Sequence, residues 1–139
     1  MLSLTCLNPS PVTPLHQLSS EQLVQYAGAD YVVPYCNERQ AFGEPISHRQ
    51  AVAFMIADIA IELDAMRMLT YRAVCRAEQG KPFQRETHLA RTLVKDKAMQ
   101  IGTDGVQLLG GHGFTHEYPV ERWYRDLRAI GVVFGGLHL

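Results

Sequence analysis

The chain has 139 residues, 47% of them apolar, with 13 basic and 14 acidic side chains and a formal net charge of −1. That length supports a single hydrophobic core, and the near-neutral charge with scattered basic residues excludes an electrostatic case for nucleic acid or a polybasic membrane patch. No apolar run reaches the roughly 18 residues of a membrane span, no secretory leader pattern opens the chain, and Cys6, Cys36 and Cys75 read as reduced thiols in a cytoplasmic setting.

Residues 1–18 carry three prolines and no periodicity, which reads as a loose arm before a helical domain over 19–139. Ser19 with Gln22 forms a capping-box pattern, so a helix is expected from about 20 to 33, kinked or ended by Pro34. "NERQAFGEPI" (37–46) reads as a loop punctuated by Gly43 and Pro45. Ser47 with Gln50 repeats the capping-box pattern, and a periodic stretch then runs to Gln79, stopped by Gly80 and Pro82. This predicts a helix of about 32 residues, roughly 48 Å long. It carries two apolar stripes, one through Val52, Met55, Ile59, Leu63 and Met66, the other through Phe54, Ile61, Ala65, Met68 and Leu69. Two apolar faces on one helix predict burial from two sides, as in a bundle that also oligomerises.

A third helix is expected over about 86–109, with Leu89, Leu93, Val94, Ala98, Ile101, Val106 and Leu109 facing inward. Gly102 and Gly105 interrupt it, each at up to about 1 kcal/mol relative to alanine, which points to close approach by a helix or a ligand. "GGHGF" (110–114) breaks the chain, and Pro119 fits the first turn of a short helix over about 119–129. No strand pattern of useful length appears, so the fold class is all-α: a helical bundle.

The six histidines form no pattern that a metal requires. His112 and His116 fall in a glycine-broken segment, and Glu86 and His88 are two apart, on different helix faces. Asp58 and Glu62, one helical turn apart, read as a solvated face. Two loops are more informative. "ERQAFG" sets Arg39 beside Phe42 and Gly43, and "VQLLGGHGF" sets Gln107 one turn before Gly110 and Gly111. Glycines admit a bulky ligand to the backbone, exposed amides can face a phosphate, and an arginine fork matches phosphate oxygens. On its own, Arg39 also fits an ordinary surface arginine, and a Gly-Gly-x-Gly stop also fits a plain turn.

With "NERQAFGEPISHRQAVAFMIADIAIELDAMRML" and "TDGVQLLGGHGFTHEYPVERWYRDLRAI" in this order and separation, the chain resembles the C-terminal helical domain of acyl-CoA dehydrogenases. The resemblance covers about residues 20–136 and is densest over 37–129. It implies a flavoprotein domain of an enzyme that oxidises acyl-CoA thioesters to 2,3-enoyl products, with FAD as cofactor and assembly as a homo-oligomer. It further implies FAD contacts at Arg39, Phe42, Gln107 and Gly111, and at Gln50 near the adenine end.

One departure concerns the base. In the family pattern a catalytic glutamate, then glycine and threonine, follow the Arg-Asp pair of the short helix. Matching that pair to Arg125 and Asp126 places Phe134 at the glutamate, eight residues after Asp126, with Gly135 and Gly136 behind it. Phenylalanine accepts no proton, so no catalytic residue is assigned. Three readings follow: a truncated or decayed acyl-CoA dehydrogenase without its final helix and inactive alone, a non-catalytic partner of a full-length acyl-CoA dehydrogenase subunit, or a helical interaction module without flavin. Acyl-CoA is expected to bind only in a complete assembly.

Overall fold

A computed structural model describes residues 29–133, which form a helical bundle. Helix α1 spans Val32–Glu38. A two-stranded antiparallel hairpin follows, β1 (Gln40–Ala41) and β2 (Glu44–Pro45), with Gln40 opposite Pro45 and Ala41 opposite Glu44. A 3-10 turn over Ile46–His48 leads into α2 (Gln50–Glu78), and α3 (Gln84–Leu109) runs back along it. A second 3-10 turn, Gly110–Phe114, connects to α4 (Val120–Val133).

Several boundaries differ from the expectations, each for a local reason. Most of the expected 20–33 helix, like the 1–18 arm and Phe134, lies outside the described residues. Pro34 does not end its helix. It is the third residue of α1, where a backbone N–H has no intrahelical acceptor to lose. Ser47 does not cap α2, because residues 46–48 are drawn into the 3-10 turn behind the hairpin; Arg49, with extended backbone, precedes the first helical residue and no side chain caps it. Gly80, at φ +66°, stops α2 as read. Pro119 stands just before α4 rather than inside it, its carbonyl accepting from Trp123 N–H at 3.1 Å.

The core joins one face of every helix: Val32 and Cys36 from α1, Ile59, Leu63 and Met66 from α2, Ala98, Ile101, Val106, Leu108 and Leu109 from α3, and Val120, Trp123 and Leu127 from α4. Tyr31 meets Trp123 edge to face at 5.4 Å, a geometry that aromatic quadrupoles favour. Gly102 is buried against α4, where an added Cβ would stand 3.3 Å from Leu127 Cδ1 and 3.5 Å from Tyr124 Cα. The close approach read from that glycine is therefore between helices. Leu89, expected inward, is 39% exposed near the start of α3.

The two stripes of α2 part company. Ile59, Leu63 and Met66 are buried, whereas Phe54, Ile61 and Met68 on the other face are 64–66% exposed. Glu62, expected on a solvated face, is partly buried in an ion pair with Lys97 of α3 at 2.6 Å. The hydrogen bond that Lys97 donates to the Glu62 carboxylate raises the Lys97 pKa.

Candidate functional site

Sequence places the two glycine loops about 70 residues apart; the fold brings them to one cavity of about 590 Å³. Its first wall is the segment from the end of α1 to the start of α2. Arg39 leaves α1 with its N–H on Tyr35 O at 2.8 Å, and its own carbonyl accepts from Ile46 N–H at 2.9 Å across the hairpin. Phe42 and Gly43 make the hairpin turn at φ +58° and +88°. Positive φ is uncommon for a bulky aromatic residue, and Phe42 is 93% exposed, so no burial in this chain rewards that conformation.

The second wall is the end of α3 and the turn after it, and its three glycines do different work. Gly110 reverses the chain at φ +59°. Gly113 packs its backbone on Val106, where an added Cβ would stand 2.9 Å from Val106 Cα, so nothing larger fits. Gly111 has neither constraint: no atom lies within 4 Å of a Cβ built there, and the space belongs to the cavity. Of the three, it is the glycine that the chain itself does not require.

Tyr35 ties the walls together. Its hydroxyl lies 2.7 Å from His112 Nδ1 and 3.5 Å from Leu109 O. Burial pushes the Tyr35 pKa up, so the hydroxyl keeps its proton. Tyr118 packs beside both rings, 4.9 Å from His112 and 6.2 Å from Tyr35. In the core, Cys36 is fully buried, and burial pushes its thiol up to about 11, which makes it an inert core residue.

Arg39, Phe42, Gln107 and Gly111 thus line one cavity; Gln50 does not, although its neighbours Arg49 and Ala51 do. Arg49 and Tyr35 were not among the candidates from sequence, and His112 was weighed there only as a metal ligand. Arg49 stands with its guanidinium 4.8 Å above the Phe42 ring, and Arg39 and Arg49 are met by no acidic side chain among the cavity's lining residues. Such a site is chemically suited to a multivalent anion with an apolar or aromatic portion. His112 and His116 diverge, the latter 3.6 Å from Glu121, and no cluster of three metal-binding side chains occurs among the described residues.

A helical bundle with a cationic cavity between a hairpin and a glycine turn is the class of domain these features define. The chain belongs to the acyl-CoA dehydrogenase family, whose C-terminal domain profile matches residues 20–136. It is 37% identical over 103 residues to the short-chain-specific acyl-CoA dehydrogenase of Megasphaera elsdenii, covering 74% of this chain and 27% of that one. The solved butyryl-CoA dehydrogenase of Megasphaera elsdenii superposes with a TM-score of 0.77 at 35% identity, over 81% of this chain and 29% of the other. A structure described as the FAD complex of PigA superposes at 0.72 with 25% identity, over 81% of this chain and 28% of the other. The chain therefore spans less than a third of the length of these relatives. No helix among the described residues is long and apolar enough to cross a membrane.

Proposed function

We propose that this chain supplies the cofactor-contacting C-terminal bundle of an acyl-CoA dehydrogenase-type flavoprotein, a cytoplasmic FAD-dependent assembly acting on acyl-CoA thioesters. The observation that carries the reading is the convergence of Arg39, Phe42, Gln107 and Gly111 on one cavity. The residues fit FAD on chemical grounds: guanidinium forks for its diphosphate, an exposed aromatic face, an amide, and an open space beside Gly111 that a side chain would fill. Bound there, FAD would supply the hydride acceptor for α,β-dehydrogenation. The chain's own part is to bind and orient it: Arg39 neutralises phosphate charge, and Tyr35 and His112 fix the glycine turn against the arginine segment.

No carboxylate stands at the position that the family pattern gives to the base, since Phe134 occupies it. General-base catalysis contributes about 10²–10⁴-fold, so the chain alone is read as inactive toward acyl-CoA. A role as partner to a base-bearing subunit draws support from α2, whose exposed Phe54, Ile61 and Met68 form an apolar stripe suited to a second helical surface.

Co-expression with a full-length acyl-CoA dehydrogenase subunit, followed by co-purification and a visible absorption spectrum, tests this. A co-purifying complex with flavin absorbance in excess of that of the full-length subunit alone is expected. Arg39→Ala should lower that retention by about 1.5–3 kcal/mol of binding. Unchanged flavin content in the Arg39→Ala complex would remove the cofactor role from this cavity. Light scattering on the chain alone should show self-association, reduced by Ile61→Glu; a monodisperse wild-type monomer would remove the role assigned to the stripe.

A further inference from the structure

We propose that His112 couples the cavity to pH: an anion entering between the walls draws a proton onto its imidazole, so the site holds anionic ligands more tightly in mild acid than in mild alkali. The proposal rests on the reading of the cavity as an anion site and adds to it a switch in the glycine turn.

The imidazole is clamped by two tyrosines and no carboxylate. Its Nδ1 lies 2.7 Å from the Tyr35 hydroxyl, and the Tyr118 ring stands beside it at 4.9 Å. Nε2 has no hydrogen-bond partner among the described residues, and His112 lines the cavity. The Tyr35 contact serves both charge states without moving a heavy atom. A hydroxyl both donates and accepts, so it pairs with either tautomer of the neutral ring. When the ring is protonated, Nδ1 donates, the tyrosine oxygen accepts, and its own proton is free to turn toward Leu109 O at 3.5 Å. Burial keeps that hydroxyl protonated, so no phenolate forms to cancel the imidazolium.

The charges around the ring decide when the proton arrives. The ionisable groups are Tyr35, Cys36 and Arg39 from α1, Arg49 at the head of α2, and Tyr118 before α4; residues 107–109 of α3 have none. The Cys36 thiol is held neutral by burial. His116 and Glu117 are exposed, and His116 turns to Glu121 at 3.6 Å. Glu44 meets Arg49 at 3.8 Å but stands outside the cavity's lining residues. Before a ligand binds, an imidazolium would join two arginines with no acid in the lining, and like charge opposes it. A bound anion supplies the counter-charge, so the liganded state holds the proton more tightly than the free one. Affinity is then greatest in mild acid and falls as pH rises through about 6–7.5. The arginines do not share this response, because they keep their charge and Ile46 fixes their backbones. Its N–H donates to Arg39 O at 2.9 Å, and its carbonyl accepts from Arg49 N–H at 3.1 Å.

The test uses the whole chain, titrated calorimetrically with sulfate and with ADP from about pH 6 to about pH 8 in wild type, His112→Asn and Tyr35→Phe. His88→Asn, on the exposed face of α3, serves as a remote histidine. Sulfate keeps its charge across that range. The terminal phosphate of ADP titrates near pH ~6, and the difference between wild type and His112→Asn removes that contribution. Wild type should bind sulfate about tenfold more tightly at the acid end and take up protons on binding, read from the heats in two buffers of different ionisation enthalpy. His112→Asn should lose that dependence and His88→Asn should keep it. Tyr35→Phe, which removes the acceptor for Nδ1–H, should move it to lower pH. Far-UV circular dichroism checks that each variant keeps the bundle. In wild type alone, the His112 ring signals in NMR, identified by their contacts with the Tyr118 ring, should titrate at higher pH once sulfate is added. Equal pH dependence in wild type and His112→Asn, or ring signals that ignore sulfate, overturns the proposal and leaves the cavity reading standing. Failure to bind either anion at millimolar concentration at any pH overturns both. A pH-coupled anion site in a chain whose co-assembled complex holds no flavin keeps the switch and discards FAD.

Discussion

Arginines gather at two places in this bundle, with opposite results. Where α2 meets the start of α3, Arg72, Arg76 and Arg85 close on the buried carboxylate of Glu86 at 3.8, 3.4 and 4.0 Å. Arg76 also donates to Pro82 O at 2.8 Å, so the connection between the helices is tied by the same group. At the cavity, Arg39 and Arg49 face a space lined by no acid. The first cluster is satisfied within the chain. The second has its backbone held and no acid among the residues that line the space. Arg49 does meet Glu44 at 3.8 Å, but that carboxylate is about half exposed and stands outside the cavity lining, whereas Glu86 is buried. The same residue type thus acts as a structural clamp or as a binding group according to whether the carboxylate it meets is buried with it.

If this contrast holds, changes at internally satisfied positions lower stability and spare the ligand, whereas changes at the cavity do the opposite. The largest expected effect is at Gly113, where an alanine Cβ would collide with the Val106 backbone. Gly113→Ala should destabilise by about 3 kcal/mol in urea unfolding, and a loss below 1 kcal/mol would show that the glycine turn is not seated on α3 as described.

Next comes the buried thiol of Cys36 in the core. Burial raises the Cys36 thiol from 9.0 to about 11, so the folded state holds that proton more tightly than the unfolded chain. The stabilisation is present below pH 9 and is lost as pH rises toward 11, by about 2–3 kcal/mol across that window. Cys36→Ala should flatten this part of the stability–pH curve, and an identical alkaline decline in both proteins would contradict the tighter hold of the buried thiol on its proton.

Glu86→Ala should cost about 1–2 kcal/mol, a modest figure because its arginine partners are 35–76% exposed, and it should leave ADP affinity unchanged. A fall in ADP binding would mean that the two arginine clusters are coupled. The smallest stability change belongs to Gly111→Ala, within about 0.5 kcal/mol, since nothing in the chain lies near the added methyl. Its effect should appear in ligand affinity; a variant that binds ADP as wild type does would show that the ligand keeps clear of the glycine.

The helices were legible because burial imposes a 3.6-residue period on any sequence that fills one core. Both stripes of α2 could be read, though the period alone does not say which is covered inside the chain: Ile59, Leu63 and Met66 are, Phe54, Ile61 and Met68 are not. The start of α2 was misread because Ser47 carries a good local capping pattern, which the Arg39–Ile46 hydrogen bond overrides by drawing residues 46–48 into the 3-10 turn. Leu89 fits the apolar pattern of α3 yet lies near its end, where little packs on it. Within the site, the glycines of "GGHG" look alike in sequence and separate only when their surroundings are known. Arg49 carried no signal of its own, because its meeting with Phe42 depends on the hairpin.

The Ile46 bridge has a consequence for how a ligand would be received. Backbone hydrogen bonds at both of its polar atoms make residues 39–49 a clip whose main-chain shape is settled before anything binds. A flexible loop of that length would surrender conformational entropy residue by residue on closing around an anion, about 1–2 kcal/mol for each backbone unit ordered. In the clip only the outer rotamers of the two arginines remain to be frozen, so most of that cost falls on folding rather than on capture. The sensitivity of the site should accordingly extend to positions that never touch the ligand: a proline at Ile46, which deletes the bridging N–H, would release both arginine backbones at once.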